Sequence, residues 1–256
     1  MERSEYDKLD QVEDRMWWFA AIHRNLLMST RRVELRAPRA GRGCRPILDA
    51  GCGTGGFLAR LAARYPERTV VGLDSDVAAC GRAAAKSGRP VCAGSVDALP
   101  FSDSSLAAIF SADVLCHRNV DEARALRQFH RCLAEGGWLV LNLPAYRWLL
   151  SRHDIAVHNI RRYTRARLSA QLRSAGFCSV YTSYWNAVLF PLMVLTRKLL
   201  PWRRGEGSDV HAYAGPIEAL CRAAMAIEGG LLRAGLRLPF GGSVLAVARK
   251  EGTVNG

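Results

Sequence analysis

Long apolar runs and paired cysteines are missing from this chain of 256 residues. No apolar stretch reaches the roughly 20 residues that a membrane-spanning helix requires. The 8 cysteines lie far apart and form no C-x-x-C pair, which disfavours a disulfide framework or a zinc ribbon. The N-terminus is charged and lacks an apolar segment of the signal-peptide type. We therefore expect a reduced protein in the cytoplasm that does not span a membrane.

Lysine is scarce, so the net charge of +13 comes mostly from arginine. The arginines are scattered and form only short pairs, such as Arg31-Arg32 and Arg203-Arg204. There is no basic helix interleaved with aromatic side chains, which a nucleic-acid site would favour. We interpret the charge as compositional and expect no nucleic-acid partner, although an anionic membrane face or an acidic substrate stays open.

One glycine-rich stretch follows a short apolar run over residues 47–50. Gly51, Gly53, Gly55 and Gly56 separate that run from a predicted helix over 57–64. Strand, glycine turn and helix is the arrangement in which backbone N–H groups approach a ligand closely. The glycines fit G-x-G-x-x-G, which is typical of dinucleotide sites, and also D-x-G-x-G-x-G. A cofactor site is predicted, and the cofactor is left open.

Acidic residues follow two further predicted strands. Asp74 ends a run over 68–74, where its two carboxylate oxygens could accept both hydroxyls of a ribose. Asp97 follows a run over 90–93, in the segment Asp97-Ala98-Leu99-Pro100-Phe101. Two more strands are predicted over 106–111 and 138–144. Their regular alternation with helices predicts a parallel sheet with right-handed crossovers.

These motifs resemble class I S-adenosylmethionine-dependent methyltransferases over residues 47–143. The glycine turn, the Asp97 segment and L-x-E-G-G-x-L-V-L at 133–141 stand in the family's order. The resemblance implies an α/β fold with a doubly wound, Rossmann-like sheet of seven strands. It also implies a helix over 164–175, a sixth strand that opens at Gly176-Phe177, and a last antiparallel strand over 243–249.

The same resemblance implies the cofactor S-adenosylmethionine and the side chains that contact it. Asp97 and Ala98 would receive the adenine, and Asp74 the ribose. The implied cofactor contacts are Asp49, Gly51, Cys52, Gly53, Gly55, Asp74, Ser75, Asp97, Ala98, Ser111 and Arg24. We predict a helical lid and linker over 1–45 and a methyltransferase domain over 46–256, with insertions at about 144–163 and 184–242.

Candidate acceptor-side residues concentrate in a few segments. An imidazole titrates near neutral pH, so we expect His153, His117 or His158 to act as a base. The predicted substrate contacts are Trp17, Trp18, Tyr146, Arg161, Arg162 and Tyr163. We expect no metal, because His153, Asp154 and His158 lack a further spaced pair of ligands. An apolar run within 184–200 is too short to span a bilayer and could cover a substrate, touch a membrane surface or form a homodimer.

The predicted function is methyl transfer to a hydroxyl, amine or carbon of a small molecule, such as a natural-product intermediate or a lipid-linked sugar. Two alternatives stay open. An NAD-dependent oxidoreductase explains Gly51, Gly53, Gly56 and Asp74 but not the Asp97 segment. A non-catalytic cofactor-binding protein on the same fold explains everything except the polar residues concentrated in the 144–163 insertion.

Overall fold

The computed structural model describes residues 3–29, 45–199 and 214–251. The strands are β1 Ile47–Ala50, β2 Val70–Asp74, β3 Val91–Ala93, β4 Leu106–Ala112, β5 Leu133–Pro144, β6 Phe177–Trp185 and β7 Ser243–Lys250. The helices are α1 Arg3–Val12, α2 Trp17–Ser29, α3 Gly56–Arg64, α4 Val77–Ser87, α5 Glu122–Cys132, α6 Arg152–Ala156, α7 Arg165–Ser174, α8 Phe190–Val194 and α9 Gly215–Arg233. Residues 30–44 of the lid and linker predicted over 1–45, and residues 200–213 of the insertion predicted over 184–242, lie outside the described residues.

The seven strands form one sheet in the order β3-β2-β1-β4-β5-β7-β6. β1 pairs in parallel with β2 and β4, whereas β7 runs antiparallel to both β5 and β6. This arrangement confirms the predicted α/β, Rossmann-like fold. A doubly wound dinucleotide-binding sheet has the order 3-2-1-4-5-6, so the inserted antiparallel β7 argues against the oxidoreductase alternative.

Apolar side chains bury the sheet on both faces. Leu126, Phe129 and Leu168 from α5 and α7 pack on one face. Leu26 and Met225 from α2 and α9 pack on the other face, beside the apolar side of α3. Because both faces are covered, β1 is buried at all four of its positions, which explains why its sequence is a continuous apolar run apart from Asp49.

The N-terminal lid, predicted as helical within residues 1–45, is interrupted. Two helices, α1 and α2, are separated by a turn over 13–16. The chain turns here because its two sides pack on different partners. Buried Glu13 bonds to the glycine turn, whereas Ile22 and Leu26 of α2 pack in the core of the sheet. α2 is therefore a layer of the central core, and the domain boundary at 45/46 stays a prediction.

β5 also begins earlier than the predicted residue 138. Leu133 already pairs with Leu106, and the chain then passes through Gly136 at a φ of 73° before regular pairing resumes at Trp138. A left-handed φ is inexpensive only for glycine, so Gly136 lets the strand continue through this irregular turn.

The predicted insertion over 184–242 forms α8, a π-type turn over Leu195–Leu199, and α9. Buried Glu228 on α9 accepts hydrogen bonds from the backbone N–H groups of Asn186, Ala187 (2.6 Å) and Val188 (3.2 Å). This carboxylate fixes the start of the apolar run onto α9. Among the described residues, no helix is long and apolar enough to cross a membrane.

Candidate cofactor and acceptor site

One cavity of about 650 Å³ opens at the carboxyl ends of the parallel strands. In an open α/β sheet this is the edge at which ligands bind. The predicted site residues that line it are Trp17, Trp18, Asp49, Gly51, Cys52, Gly53, Asp74, Ser75, His117, His153, His158 and Arg162. The fold thus brings the predicted cofactor end and the three histidines to one space.

The glycine turn adopts backbone conformations that other residues avoid. Gly51 has a φ of 84°, and a Cβ there would clash with the side chain of Val114. Gly55, with a φ of 94°, does not line the cavity, because it packs against the backbone of Ala83 on α4. Gly51 and Gly53 line the cavity, and the missing Cβ of Gly51 admits the side chain of Val114, whereas Gly55 serves the packing of α3 on α4.

Asp49 contributes a buried carboxylate to the cavity wall. Its Oδ2 has no hydrogen-bond partner among the described residues. Burial, then the charges of Asp74 and Glu13, raise the pKa of Asp49 well above its ordinary value. An unpartnered buried carboxylate on a cavity wall fits a cationic group, such as the ammonium of an amino-acid moiety, which would restore its charged form.

Asp74 is already held by several donors. Its Oδ2 accepts the backbone N–H of Gly53 at 2.9 Å, and its Oδ1 accepts the N–H of Asp76 at 3.0 Å. The hydroxyl of Tyr6 on α1 donates to the same Oδ1 at 3.0 Å. Burial and the charge of Asp74 raise the pKa of Tyr6, so this hydroxyl stays a donor. Sequence reasoning missed Tyr6, which lies 68 residues from its partner.

The turn after β3 corrects the adenine prediction. Ser95 and Val96 line the cavity, but Asp97 and Ala98 do not. The N–H of Ala98 bonds to the carbonyl of Ser95, and this turn directs Asp97 toward the N–H of Asp121 at the start of α5. Asp97 therefore tethers α5, and Ser95 occupies the cavity-facing position.

Charged residues clamp α1 and the turn after it onto α3 and α4. Buried Glu13 accepts the hydroxyl of Thr54 in the glycine turn at 2.7 Å and pairs with Lys86 on α4. Lys86 also pairs with Asp10 at 2.6 Å, and Arg82 with Asp7. Tyr6, Glu13 and residues 16–19 form one wall of the cavity. The sequence shows acidic residues spaced along one side of α1, which indicates a charged contact, but the spacing does not identify the partners.

The three histidines share the cavity wall with an acid that was not predicted from the sequence, Asp113. Asp113, directly after β4, lines the cavity at a φ of 55°. Burial raises the pKa of Asp113 to about 7, against the opposing effects of Arg162 and Asn142. Burial lowers the pKa of His117 to about 4. Asp113 is therefore the stronger base of these two near neutral pH.

A chain of contacts orients Asp113. The indole N–H of Trp185 donates to Asn142 Oδ1 at 2.6 Å, which leaves the Asn142 amide N–H free to donate to Asp113 Oδ1 at 3.1 Å. Trp185 in turn stacks on Trp18, with ring centroids 4.9 Å apart. Because an indole N–H can only donate, this network sets the amide orientation and favours an accepting oxygen on Asp113.

Several predicted ligand contacts have structural partners instead. Buried Arg162, although it touches the cavity, binds both carboxylate oxygens of buried Asp154 at 2.9 and 3.0 Å. Arg161 donates to the carbonyl of His117 at 2.6 Å. The Arg162 bonds brace the 144–163 segment internally, and the Arg161 bond ties it to the loop after β4. A substrate role of the two arginines stays a prediction.

Four further residues that were predicted to contact a ligand do not line the cavity. Arg24 donates to the carbonyl of Met225 on α9, because α2 packs on α9. Ser111 is buried and donates to the carbonyl of Ala50 at 2.8 Å. Tyr146 stacks on Tyr184, and the buried hydroxyl of Tyr163 donates to the carbonyl of Leu115. The four residues are Arg24, Ser111, Tyr146 and Tyr163. Within the described part of the chain, no cluster of three metal-ligating side chains occurs.

Comparison with known proteins supplies the class. Residues 47–137 match a family model described as a methyltransferase domain. The chain is 38% identical over 123 residues to a malonyl-[acyl-carrier protein] O-methyltransferase of Dechloromonas aromatica. The aligned residues cover 47% of this chain and 45% of that relative. It is 29% identical over 144 residues to a trans-aconitate 2-methyltransferase of Deinococcus radiodurans. This alignment covers 54% of this chain and 50% of that relative. The chain spans about half the length of these curated relatives.

A solved structure of a [4+2]-cyclase has the same fold, with a TM-score of 0.57 at 22% identity over 93% of this chain and 85% of the cyclase. Residues 47–137 therefore match a methyltransferase domain, and the sheet order agrees with the class I S-adenosylmethionine-dependent methyltransferase fold that the sequence resemblance implied. The cofactor of that family is S-adenosylmethionine. The unpartnered oxygen of Asp49, on the cavity wall beside Gly51 and Gly53, fits the amino group of its amino-acid moiety.

Proposed function

We propose that this protein transfers the methyl group of S-adenosylmethionine to a hydroxyl, amine or carbon of a small molecule. The observation that carries the proposal is that one cavity is lined by the unpartnered carboxylate of Asp49 and also by Asp113 and three histidines. The match to small-molecule methyltransferases supports the same function.

Each end of the cavity has a distinct task. When bound, S-adenosylmethionine supplies a methyl group on a sulfonium, which a nucleophile attacks in line. Asp49 would hold the amino group, and Asp74 would hold the ribose beside Tyr6. The stacked Trp18 and the other aromatic side chains of α2 exclude water from the same space. These groups bind and orient, and they take no part in proton transfer.

Asp113 is the proposed base of the acceptor end. A base with a pKa near 7 is well matched to proton abstraction at neutral pH, and Asn142 holds Asp113 in place. His117, His153 and His158 line the same end and are the other candidates. The proton would pass from the acceptor's hydroxyl or amine to the free Asp113 oxygen as the nucleophile attacks.

The acceptor itself is proposed only as a class. The family match ends at residue 137, before the 144–163 and 184–242 segments that build the acceptor end. The relatives' names, which specify malonyl-[acyl-carrier protein] and trans-aconitate, support a small acceptor without fixing it. A natural-product intermediate or a lipid-linked sugar is the proposal. A homodimer, a membrane contact through 184–200 and a cytoplasmic location stay predictions.

The non-catalytic alternative is retained because a protein of this fold is described as a [4+2]-cyclase, not a methyltransferase. A protein that binds S-adenosylhomocysteine tightly but transfers no methyl group to any hydroxyl, amine or carbon acceptor in a broad screen would favour that alternative. Methyl transfer to one acceptor would exclude it.

Calorimetric titration with S-adenosylhomocysteine and, in parallel, NADH tests the cofactor end. We expect the first to bind and the second not to. Asp49→Asn should weaken binding about 10- to 100-fold, because a charged hydrogen bond contributes roughly 1.5–3 kcal/mol. Asp97→Asn is the matched control, expected to change affinity less than about twofold because Asp97 faces α5. Binding of NADH alone would overturn the proposal.

A further inference from the structure

Asn186 lies directly after β6 on the wall of the cavity and carries a buried amide. The residue is 3% exposed, and its Oδ1 has no hydrogen-bond partner among the described residues. Buried polar atoms in folded proteins nearly always have a partner, so an exception on a cavity wall calls for a donor from outside the chain. No role for Asn186 was predicted from the sequence.

The backbone of Asn186 is fully used within the chain. Its N–H donates to buried Glu228 on α9, and its carbonyl accepts from the N–H of Gly242 at 3.4 Å. Its φ of 61° is left-handed, a conformation that asparagine adopts more readily than most residues. These contacts fix the position of the residue, and they leave its side-chain oxygen without a donor from the described chain.

The amide of Asn186 lies beside apolar parts of the chain. A Cβ on Gly242 would lie 2.8 Å from the terminal methyl of Met193 and 3.1 Å from the amide nitrogen of Asn186, so both side chains pack against this glycine. Met193 and Leu189 also line the cavity. In such surroundings a hydrogen bond is stronger than in water, and an unpaired carbonyl oxygen is costly. A donor group of the acceptor would therefore be bound selectively at this position.

The sheet separates Asn186 from Asp113, the proposed base. Asp113 follows β4 and Asn186 follows β6, and the sheet order puts β5 and β7 between them. Neighbouring strands lie about 4.8 Å apart, so the two backbones are about 14 Å apart across the sheet. Pro144 and Ser243, which pair on the two intervening strands, also line the cavity. This distance is too long for one hydroxyl group to bond to both side chains, so they would contact different groups of one acceptor.

We infer that Asn186 binds a hydroxyl or N–H group of the acceptor, separate from the atom that is methylated. The inference rests on the proposed function and narrows its acceptor to molecules with at least two polar groups. The amide oxygen accepts a hydrogen bond but takes up no proton at neutral pH, so it positions the acceptor while Asp113 receives the acceptor's proton. A carboxylate or an ether has no proton to donate and is disfavoured at this position.

A matched pair of probes tests this contact in the wild-type protein. 2-Naphthol donates through its hydroxyl, whereas 2-methoxynaphthalene has the same rings and no donor. Equilibrium dialysis with and without saturating S-adenosylhomocysteine measures both affinities. We expect 2-naphthol to bind at least tenfold more tightly, because a site with a buried hydrogen-bonding group rejects an analogue that leaves this group unpaired. Equal affinities, or no binding of 2-naphthol, overturn the inference.

Two glycine variants locate the preference for the donor. Asn186→Gly removes the amide and keeps a residue that tolerates the left-handed backbone. We expect it to weaken 2-naphthol binding about tenfold and to leave 2-methoxynaphthalene binding within about twofold, so that the preference disappears. Ser179→Gly is the matched control, since Ser179 has a φ of 48°, is exposed on β6 and does not line the cavity. A preference that survives in Asn186→Gly contradicts the assignment, and so does one that Ser179→Gly also abolishes.

The outcomes separate this contact from the proposed function. If S-adenosylhomocysteine binds but the wild-type protein does not distinguish the two probes, the role of Asn186 is wrong and the proposed function stands. If the preference depends on Asn186 but S-adenosylhomocysteine does not bind, the proposed function is wrong and Asn186 remains a residue that binds a donor group.

Discussion

At the scale of single residues, three acids on one cavity wall have different environments. Asp49 is buried and keeps one oxygen without a partner, whereas Asp74 accepts from two backbone N–H groups and from Tyr6. Asp113 lies between them and the histidines, with one oxygen bonded to Asn142. The first two environments suit binding of a cation and of hydroxyl groups. The third suits a group that exchanges a proton near neutral pH.

Asp113 should make the stability of the protein depend on pH. Its folded-state pKa, about 7, lies above its ordinary value of 3.8. The folded state therefore keeps a proton that the unfolded state has released, so stability falls as pH rises from about 4 to about 7. Asp113→Asn should remove this slope and be the more stable protein above pH 7. Urea unfolding across that pH range measures it.

The control for this prediction is Asp103→Asn, which alters an exposed acid paired with Arg131. Its pH profile should run parallel to that of the wild type. If the pH profile of Asp113→Asn stability is also parallel to that of the wild type, Asp113 is ionised across the range. Such a result would contradict the choice of Asp113 as the base. Under the proposed function, the rate of methyl transfer in the wild type rises with pH toward a plateau above about 7.

At the scale of elements, the 144–163 segment is fixed by a buried ion pair. Asp154 accepts from Arg162 and from the N–H and hydroxyl of Ser151, so its carboxylate is fully used. Its position places His153, Val157 and His158 on the cavity wall. The pair therefore fixes the shape of this part of the cavity wall.

Removing one partner of this pair should destabilise the fold. Arg162→Met leaves Asp154 buried and partly unpaired, which typically costs about 3–5 kcal/mol of unfolding free energy. The double variant Asp154→Asn with Arg162→Met removes the buried charge, so we expect it to recover part of the loss. Chemical unfolding measures both. An Arg162→Met protein of unchanged stability but weakened acceptor binding would restore the predicted role of Arg162 in gripping a substrate.

At the scale of the whole molecule, charged pairs join α1 and the turn after it to α4 and to the glycine turn. Glu13 is buried between Thr54 and Lys86, which connects the N-terminal helices to the glycine turn. α2 belongs to the main core, but α1 is polar and depends on these pairs. The clamp therefore closes the cofactor end with an element that is held mainly by electrostatics.

Lys86→Met tests that dependence. Glu13 would keep only the Thr54 hydroxyl, so we expect a loss of about 2 kcal/mol, below the value for a fully buried pair because Lys86 is partly exposed. Limited proteolysis should cut the N-terminal segment faster, and S-adenosylhomocysteine should dissociate faster. Arg167→Met breaks a more exposed pair with Glu122 and should change stability by less than about 1 kcal/mol. Equal proteolysis of both variants would contradict the clamp.

The sequence by itself determined the sheet, the glycine turn and the cofactor acids. These depend on local signals: an apolar run forms a strand, and glycine permits a left-handed turn. Asp49 lies one residue before the end of β1, and Asp74 ends the adjacent parallel strand β2. Tertiary structure alone decided the roles of Asp97, Arg162, Tyr6 and Asp113. Each role is set by a partner far away along the chain or by burial in the assembled cavity, and spacing encodes neither of these.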